Sequence, residues 1–259
     1  MSTEVQAPRE TAGKRAADGT LYVREVSHTY SDGRGRAVQA LEAVSLGARE
    51  GEVLAVVGPS GCGKTTLLEL ICGLQAPDAG SLSAPPAVLM PQRDLLLPWL
   101  DALDNASLAL RIAGASRAQA RERARGMFAE LGLDGFETAR ASELSGGMRQ
   151  RVAFLRTLLS GKPLLCLDEP FGALDAITRA EMQEWLAGAL LREPRTVVLV
   201  THDVEEAALL ADTVVVLSAR PGRVCATLAM SRPRPRRRSD DEVLALRARA
   251  LEVLSEGRR

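Results

Sequence analysis

The chain has 259 residues, 46% of them hydrophobic, which is enough for one large core or two tightly joined lobes. It carries 33 basic and 33 acidic residues, and this balance argues against a dedicated nucleic-acid binder, which would show a basic excess. The four cysteines form no Cys-x-x-Cys pair, so free thiols in a reducing compartment are favoured over a disulfide framework.

Residues 1–19 are polar and lack an apolar core, so we predict a disordered lead-in and no signal peptide there. No run approaches the ~20 apolar residues that a membrane-spanning helix needs. If the protein works at a membrane, another chain must cross it.

The first predicted elements are strands. Leu21–Tyr30 alternates and is rich in valine and tyrosine, and Ala37–Leu46 is its expected neighbour in an N-terminal antiparallel β subdomain. A buried strand over Val53–Val57 leads into a glycine loop, and a helix over Thr65–Cys72 follows. The stretch Pro77–Pro86 is predicted to be rich in turns, before a short strand at Val88–Met90.

From about Asp101 to about Arg140 the apolar residues recur at helical steps, chiefly in Asn105–Ile112 and Ser116–Leu131. Together with a helix over Gly147–Leu159, they predict an α-helical subdomain inserted at about 93–160. Strands and helices alternate after it, with strands at 164–168, 196–200 and 213–217 and helices at about 177–191 and 204–210. This alternation predicts an α/β fold whose parallel sheet is covered on both faces.

A phosphate-binding loop lies between the strand Val53–Val57 and the helix that follows it. Its sequence, Gly58-x4-Gly63-Lys64-Thr65, matches the P-loop pattern. The glycines of this pattern let backbone N–H groups face phosphates at a helix N-terminus. Lys64 would neutralise the β- and γ-phosphates of a nucleoside triphosphate, and the Thr65 hydroxyl would bind Mg²⁺. The predicted nucleotide ligands are Gly58, Pro59, Ser60, Gly61, Cys62, Gly63, Lys64, Thr65 and Thr66.

Two carboxylates end the apolar strand Leu164–Asp168. Asp168, which we expect beside the P-loop strand, can hold a hydrated Mg²⁺, and Glu169 would polarise the attacking water as general base. A second anion site is predicted at Leu144-Ser145-Gly146-Gly147, where Ser145 can cap a helix whose first N–H groups are unobstructed.

These motifs, together with Gln92 before the helical subdomain and Thr201-His202-Asp203 near the end, fall in one order along the chain. The ordered set resembles the nucleotide-binding subunit of ATP-binding cassette (ABC) transporters, from about Leu21 to about Ala226. It implies a P-loop NTPase core over residues 20–230, followed by a basic linker and a C-terminal helix over 231–259. The cofactors that it implies are ATP and Mg²⁺.

The resemblance also implies roles for individual side chains. Gln92 would reach Mg²⁺ and the attacking water, so that Thr65, Gln92 and Asp168 form the metal set. His202 would contact the γ-phosphate and Glu169, which makes Glu169, His202 and Gln92 the catalytic set. Tyr30 would stack on adenine.

Other implied roles concern a second subunit. The helix end formed by Ser145, Gly146, Gly147 and Gln150 would bind the γ-phosphate held by that partner. Asp175 resembles the loop that carries signals across the dimer. Gly172 stands where the family usually has a serine, which puts one hydrogen bond to the partner in doubt.

A separate ATPase chain without a membrane span resembles the bacterial importers best. Further stretches resemble the ATPases of nitrate, sulfonate and taurine importers and of importers for pyrimidine vitamin precursors; they are Leu95–Trp99, Phe171–Ala176, Glu181–Trp185 and Leu217–Gly222. The implied partners are a second ATPase subunit, an integral membrane permease and, indirectly, a solute-binding protein. The implied location is the cytoplasmic face of the cell membrane, where the protein would be peripheral.

Several alternatives stay open. A soluble ATP switch would share all five motifs. The exposed apolar loop Leu95–Trp99 suits a groove that receives a permease helix, unless Trp99 packs on the helical lobe. The basic run Arg232–Arg238 is a solvated linker or a weak site for nucleic acid or anionic lipid.

Two further expectations are specific. The helix N-terminus beside Cys62 predicts a lowered thiol pKa, unless Cys62 is merely a tolerated small residue. In the last helix, Leu244, Ala248, Leu251 and Leu254 are expected to pack on the domain, after a capping box at Ser239–Glu242.

Overall fold

The structure, a computed structural model, describes residues 20–31, 33 and 35–256. The predicted lead-in over 1–19 lies outside the described residues. An antiparallel sheet opens the fold, in the order β2-β1-β4, with strands β1 (Leu21–Ser31), β2 (Ala37–Ala48) and β4 (Ala79–Ser83). Strand β4 lies in the stretch that was predicted to be rich in turns. The pattern hides it because its pairing with β1 is made by the backbone, and only Leu82 packs on the core.

The main sheet has six strands in the order β5-β6-β7-β3-β8-β9. The first five pair in parallel, and β9 runs antiparallel to β8. This confirms the α/β fold with a parallel sheet, although β9 was not predicted. The strands are β3 (Val53–Val57), β5 (Ala87–Met90), β6 (Leu164–Asp168), β7 (Thr196–Thr201), β8 (Thr213–Leu217) and β9 (Val224–Ala229).

The position of β6 corrects one expectation. Strand β7 pairs with both β3 and β6, so the strand that carries Asp168 is one place removed from the P-loop strand. The carboxyl ends of parallel strands still meet at one edge of the sheet. The loops after β3, β6 and β7 therefore converge there.

Helices cover both faces of the main sheet and form the inserted lobe. Leu54 and Val56 of β3 pack with the first helix, and Val53, Ala55 and Val57 pack in the other core cluster, with Phe154. Strand β3 is fully buried, which explains its unbroken apolar run. The helices are α1 (Lys64–Ile71), α2 (Ala102–Ile112), α3 (Arg117–Arg125), α4 (Gly146–Leu158), α5 (Ala176–Arg192), α6 (Val204–Leu210) and α7 (Asp241–Glu256).

The inserted helical subdomain, α2 to α4, lies between β5 and β6 in the chain. Helix α3 ends at Arg125, well before the predicted Leu131, because Gly126 disfavours its continuation and only a short 3₁₀ turn follows at Ala129–Leu131. Asp101 caps α2 and pairs with Arg121 at 2.9 Å. This ion pair ties the first two helices of the lobe together.

The C-terminal segment differs most from its prediction. Helix α7 buries Val243, Leu246, Ala250 and Val253, whereas Leu244 and Leu251 are about half exposed and Ala248 is exposed; of the predicted set only Leu254 packs on the core. Both faces have helical spacing, and only the position of the neighbouring helix α6 selects one. The predicted capping box is also wrong, because Glu242 accepts hydrogen bonds from Ser231 and Arg232 instead.

The basic run before α7 is not simply a solvated linker. Arg236 is only 8% exposed, and its guanidinium donates hydrogen bonds to the carbonyl oxygens of Ala208, Leu209 and Ala211 at the end of α6. Arg234 donates to Leu210 and pairs with Asp212 at 2.7 Å. These two arginines satisfy carbonyls that α6 leaves without helical partners. They are therefore structural and do not contribute to a binding surface.

Candidate functional site

The phosphate-binding loop connects β3 to α1. The N-cap of α1 is Gly63, and no side chain caps this helix end, so its first N–H groups are open toward the loop. The Lys64 ammonium group lies within the loop and donates to the carbonyl oxygens of Gly58 and Pro59 at 2.8 and 3.0 Å. A phosphate that entered the loop would offer the ammonium group a partner of opposite charge.

Two positions of this loop require glycine for steric reasons. Gly63 has a φ of 100°, and a Cβ there would lie 2.7 Å from the carbonyl oxygen of Ala40. A Cβ at Gly58 would lie 2.8 Å from the Cys62 sulfur. Both positions therefore exclude side chains, which keeps the backbone close enough to bind phosphate.

Cys62 lies in the loop, but the predicted lowering of its thiol pKa is wrong. The side chain is 1% exposed, and burial raises the pKa of the Cys62 thiol, while the charge of the nearby Lys64 opposes this only in part. The neutral thiol is the stable form because an apolar surrounding penalises the thiolate more than the lysine favours it.

We therefore expect Cys62 to react slowly with a maleimide at pH 7. The exposed Cys225 should react first and serve as the internal reference. Mass spectrometry of peptides after timed labelling would measure both rates. Labelling of Cys62 as fast as that of Cys225 would show that the loop is more open than in this structure.

Thr65 and Asp168 meet across the gap between the P-loop and β6. The Thr65 hydroxyl donates to Asp168 Oδ2 at 2.8 Å. Burial raises the pKa of Asp168, and the hydrogen bond from Thr65 partly offsets this. A hydroxyl and a carboxylate are hard oxygen donors that suit Mg²⁺. Gln92, the third predicted metal ligand, donates a hydrogen bond to the neighbouring Glu169. In the part of the chain that the structure describes, no cluster of three or more histidine, cysteine or acidic side chains offers another metal site.

Glu169 is held from both sides by the other two predicted catalytic residues. Gln92 Nε2 donates to Glu169 Oε2 at 2.9 Å, and His202 Nδ1 lies 3.3 Å from Glu169 Oε1. The Glu169 backbone has a φ of 47°, and its N–H donates to the carbonyl oxygen of Val200 on β7. A non-glycine residue in this region carries strain, which is common where a side chain must be aimed.

The second predicted anion site is a separate helix end, on the inserted subdomain. Ser145 caps α4 and accepts a hydrogen bond from the Met148 N–H at 3.2 Å, and both Ser145 and Gly146 are exposed. Gly147, half-buried, packs near Leu174. This end therefore faces solvent with open N–H groups and can receive an anion from outside the chain.

Gln150 and Asp175 make contacts within the chain. Gln150 is 3% exposed and donates to the carbonyl oxygen of Pro170 at 3.1 Å, so it positions the loop after Glu169 and does not face the exposed helix end. Asp175 caps α5 by accepting hydrogen bonds from the N–H groups of Ile177 and Thr178.

Tyr30, predicted to stack on adenine, is 39% exposed at the end of β1, and its hydroxyl accepts a hydrogen bond from Arg220 at 3.4 Å.

The comparisons with known proteins agree with this geometry. The family model described as ABC transporter matches residues 41–172, about half of the chain. The taurine import ATP-binding protein of Burkholderia pseudomallei (strain K96243) is 43% identical over 219 residues, which cover 81% of this chain and 84% of that protein. The chain belongs to the ABC transporter family.

Two further relatives extend the comparison. The aliphatic sulfonates import ATP-binding protein of Rhodococcus jostii (strain RHA1) is 42% identical over 236 residues, which cover 88% of this chain and 91% of that one. A dimeric ATP-binding cassette in a post-hydrolysis state, bound to ADP and Pi, matches with a TM-score of 0.73 at 28% identity, covering 81% of this chain and 98% of that one. As an ABC cassette, the chain is a transport ATPase, and its family implies a second ATPase subunit and a membrane permease.

Among the described residues, none of the helices combines the length and the apolar character needed to cross a bilayer. An exposed apolar loop of this ABC cassette follows Gln92. Trp99 is 71% exposed and Leu95 is 58% exposed, so Trp99 does not pack on the helical lobe. The Asn105 side chain holds the loop in place by accepting from the Leu97 N–H and donating to the carbonyl oxygens of Leu97, Leu100 and Asp101.

Two arginines of α4 connect the capped helix end to the loop after Gln92, and their role was not predicted. Arg149 donates to Asp94 Oδ2 at 3.0 Å and to the carbonyl oxygen of Leu144 at 2.8 Å. Arg156 donates to the backbone carbonyls of Asp94 and Leu95. These contacts join the Ser145 helix end and the apolar loop into one unit. The sequence did not predict them, because in the sequence Arg149 and Arg156 are simply charged residues of a helix.

Proposed function

We propose that two copies of this ATPase enclose two MgATP molecules between them and drive a separate membrane permease for a small anion, such as a sulfonate, taurine or nitrate. The observation that carries the dimer is that one chain presents two anion-binding helix ends, at Gly63 and at Ser145, on different subdomains. A head-to-tail pair with two-fold symmetry brings each P-loop to the partner's Ser145. The relative that is a dimeric cassette with ADP and Pi supports this arrangement.

In the proposed reaction, Glu169 is the general base. Its carboxylate accepts the proton of the attacking water, while Gln92 and His202 fix its two oxygens in orientation. Lys64 and the N–H groups of the loop hold the phosphates, and Tyr30 covers the adenine. When bound by Thr65, Gln92 and Asp168, Mg²⁺ would neutralise phosphate charge. His202 is 63% exposed on its side chain, so it can also reach a γ-phosphate that arrives from solvent.

We assign the loop Leu95–Trp99 to the permease contact. Its exposed apolar side chains lie next to Gln92, and Arg149 and Arg156 tie the same loop to the Ser145 end. Closure of the dimer on ATP would then move the docking loop together with the phosphate-binding end. The ATPase would sit at the cytoplasmic face of the cell membrane, and a solute-binding protein would deliver the anion to the permease.

The transported substrate is proposed from the relatives' names, two of which name the import of taurine and of aliphatic sulfonates. The formylaminopyrimidine import ATP-binding protein of Halalkalibacterium halodurans is 43% identical over 204 residues, which cover 78% of this chain and 80% of that one. It supports a pyrimidine precursor as the second candidate. A soluble ATP switch is the third, and the exposed Trp99 loop argues against it.

Uptake measurements test these assignments. In cells that lack the gene, uptake of radiolabelled taurine should fall and return with the wild-type chain. The Trp99→Ser variant should hydrolyse ATP normally as an isolated subunit but restore uptake at least ~10-fold less well, because removing one buried aromatic anchor commonly costs 2 kcal/mol or more in binding.

The matched control is Ile112→Ser, since Ile112 is another exposed apolar side chain of the helical lobe, 80% exposed at the end of α2. It should keep both activities. Restoration of uptake by Trp99→Ser would remove the loop from the permease contact. If cells that lack the gene take up taurine normally but lose uptake of a pyrimidine precursor, the pyrimidine precursor becomes the proposed substrate. If these cells show no uptake defect at all, the soluble ATP switch is favoured.

A further inference from the structure

A small cavity of about 20 Å³ adjoins the proposed catalytic pair. It is lined by Glu169 and His202 together with Arg179 of α5 and Glu206 of α6. This volume is close to what one water molecule needs, and a buried water requires polar partners to be stable there. The cavity is thus the right size for a single water in contact with the reaction site.

Two side chains that line the cavity carry polar atoms without partners. Glu206 is only 4% exposed, and its Oε2 accepts a hydrogen bond from Gln183 at 3.4 Å. Glu206 Oε1 and Arg179 Nε are both buried, and within the described residues neither makes a hydrogen bond. Buried polar atoms in folded proteins nearly always have a partner, so a bridging water is the expected one.

A pKa raised to about 8 leaves Glu206 mainly protonated at pH 7. Burial raises its pKa to about 8, and the negative charge of Asp203 adds to this, whereas the polar groups of Thr201 and Gln183 and the charge of Arg179 oppose it. The other titratable side chains that line this side of the cavity are Glu169 and His202. From α7, Arg247 pairs with the neighbouring Glu205 at 3.3 Å.

We propose that Glu206 is a positioning residue for ATP hydrolysis, whose buried carboxyl group holds one water in the cavity against the Glu169–His202 pair. The neutral group and its water fix the loop that carries His202 without adding charge. An ionised Glu206 would place another negative charge beside Glu169 and Asp203, and this charge would oppose the approach of the γ-phosphate. The proposal rests on the roles proposed above for Glu169 and His202.

The test compares the pH dependence of kcat, at saturating MgATP, in the wild type and in Glu206→Gln. The glutamine keeps the shape and a neutral hydrogen-bonding group, so its kcat at pH 7 should stay within about twofold of the wild type. Because the wild-type group loses its proton near pH 8, the ratio of variant kcat to wild-type kcat should rise about tenfold by pH 9. Glu206→Leu, which removes the polar group, should lose at least ~10-fold at all pH values.

The control is Glu205→Gln, at the neighbouring position, where the carboxylate pairs with Arg238 and Arg247 outside the cavity. Its kcat ratio to the wild type should not change with pH. A melting experiment reports the same titration without activity. The folded pKa of Glu206 lies above its unfolded value, so wild-type stability falls as pH rises from about 5 to about 8, and the melting temperature of Glu206→Gln should gain on the wild type over this window.

Two results would overturn the proposal. One is a flat kcat ratio for Glu206→Gln between pH 7 and 9, and the other is a loss in Glu206→Gln at pH 7 as large as in Glu206→Leu. Glu169→Gln, measured in parallel, distinguishes a failure of the Glu206 proposal from a failure of the proposed catalytic pair. If Glu169→Gln is inactive while the kcat ratio of Glu206→Gln is flat, only the role of Glu206 fails. If Glu169→Gln turns over normally, the catalytic pair itself is wrong.

Discussion

Replacing Glu169 by glutamine should slow ATP hydrolysis at least ~100-fold while leaving MgATP binding intact. An amide cannot accept the proton of the attacking water, yet it keeps the length of the side chain. It can still accept the hydrogen bond from Gln92, so the local geometry should survive. Because ATP would hold the two subunits together without being consumed, the variant should accumulate as an ATP-bound dimer.

Phosphate release under saturating MgATP and gel filtration with and without ATP measure these two effects. Glu184→Gln is the matched control, since Glu184 is an exposed carboxylate on α5, and its turnover should be normal. Turnover of Glu169→Gln near the wild-type rate would remove Glu169 from the role of general base. A slow variant that no longer binds ATP would instead assign Glu169 to binding.

A mixture of a Lys64→Ala chain with a Ser145→Arg chain should recover activity that neither chain has alone. Lys64→Ala removes the ammonium group from the P-loop, and Ser145→Arg places a bulky side chain at the open end of α4. In each homodimer both composite sites carry one defect. The mixed dimer collects both defects in one site and leaves the other intact.

If the two sites work independently, an equal mixture should reach about a quarter of wild-type activity, since half of the dimers are mixed and each has one good site. Ser142→Arg tests the effect of an arginine as such, because Ser142 is also exposed and lies three residues earlier, in a separate 3₁₀ turn outside α4; its homodimer should stay active. No recovery, although mixed dimers form, would mean a wrong geometry or a need for two intact sites.

Cross-linking separates those two explanations. Gly63 is unsuitable for a cysteine because of its positive φ and the close Ala40 carbonyl, so the exposed Ser60 and Gly146 are the better pair. In a chain whose exposed Cys225 is replaced by serine, a short bis-maleimide should join these two positions between chains and only with ATP. A cross-link within one chain would contradict the shared-site dimer.

The sequence by itself determined the nucleotide chemistry and the chain order of its parts. A P-loop, a strand ending in Asp168-Glu169 and a capped glycine end at Ser145 are local patterns, because each depends on a strand end or a helix start and on residues a few positions apart. The fully buried strands β3, β6 and β7 could also be predicted from the sequence, because a strand covered on both faces is a continuous apolar run.

Only the tertiary structure decided which neighbours these elements have. Local patterns do not say that β7 separates β3 from β6, that β4 and β9 pair through their backbones, or that α7 turns Val243 and not Leu244 inward. Each of these choices depends on a partner far away in the chain.

The same reason explains the misjudged and the missed side chains. The sequence presents Arg236 as part of a basic run and Glu206 as part of an acidic helix start, and it presents Cys62 as a thiol at a helix N-terminus. Their properties come from burial, which places Arg236 against the end of α6 and raises the pKa of both the Cys62 thiol and the Glu206 carboxyl group. Burial is set by the whole packed fold, so no short window of sequence can contain it.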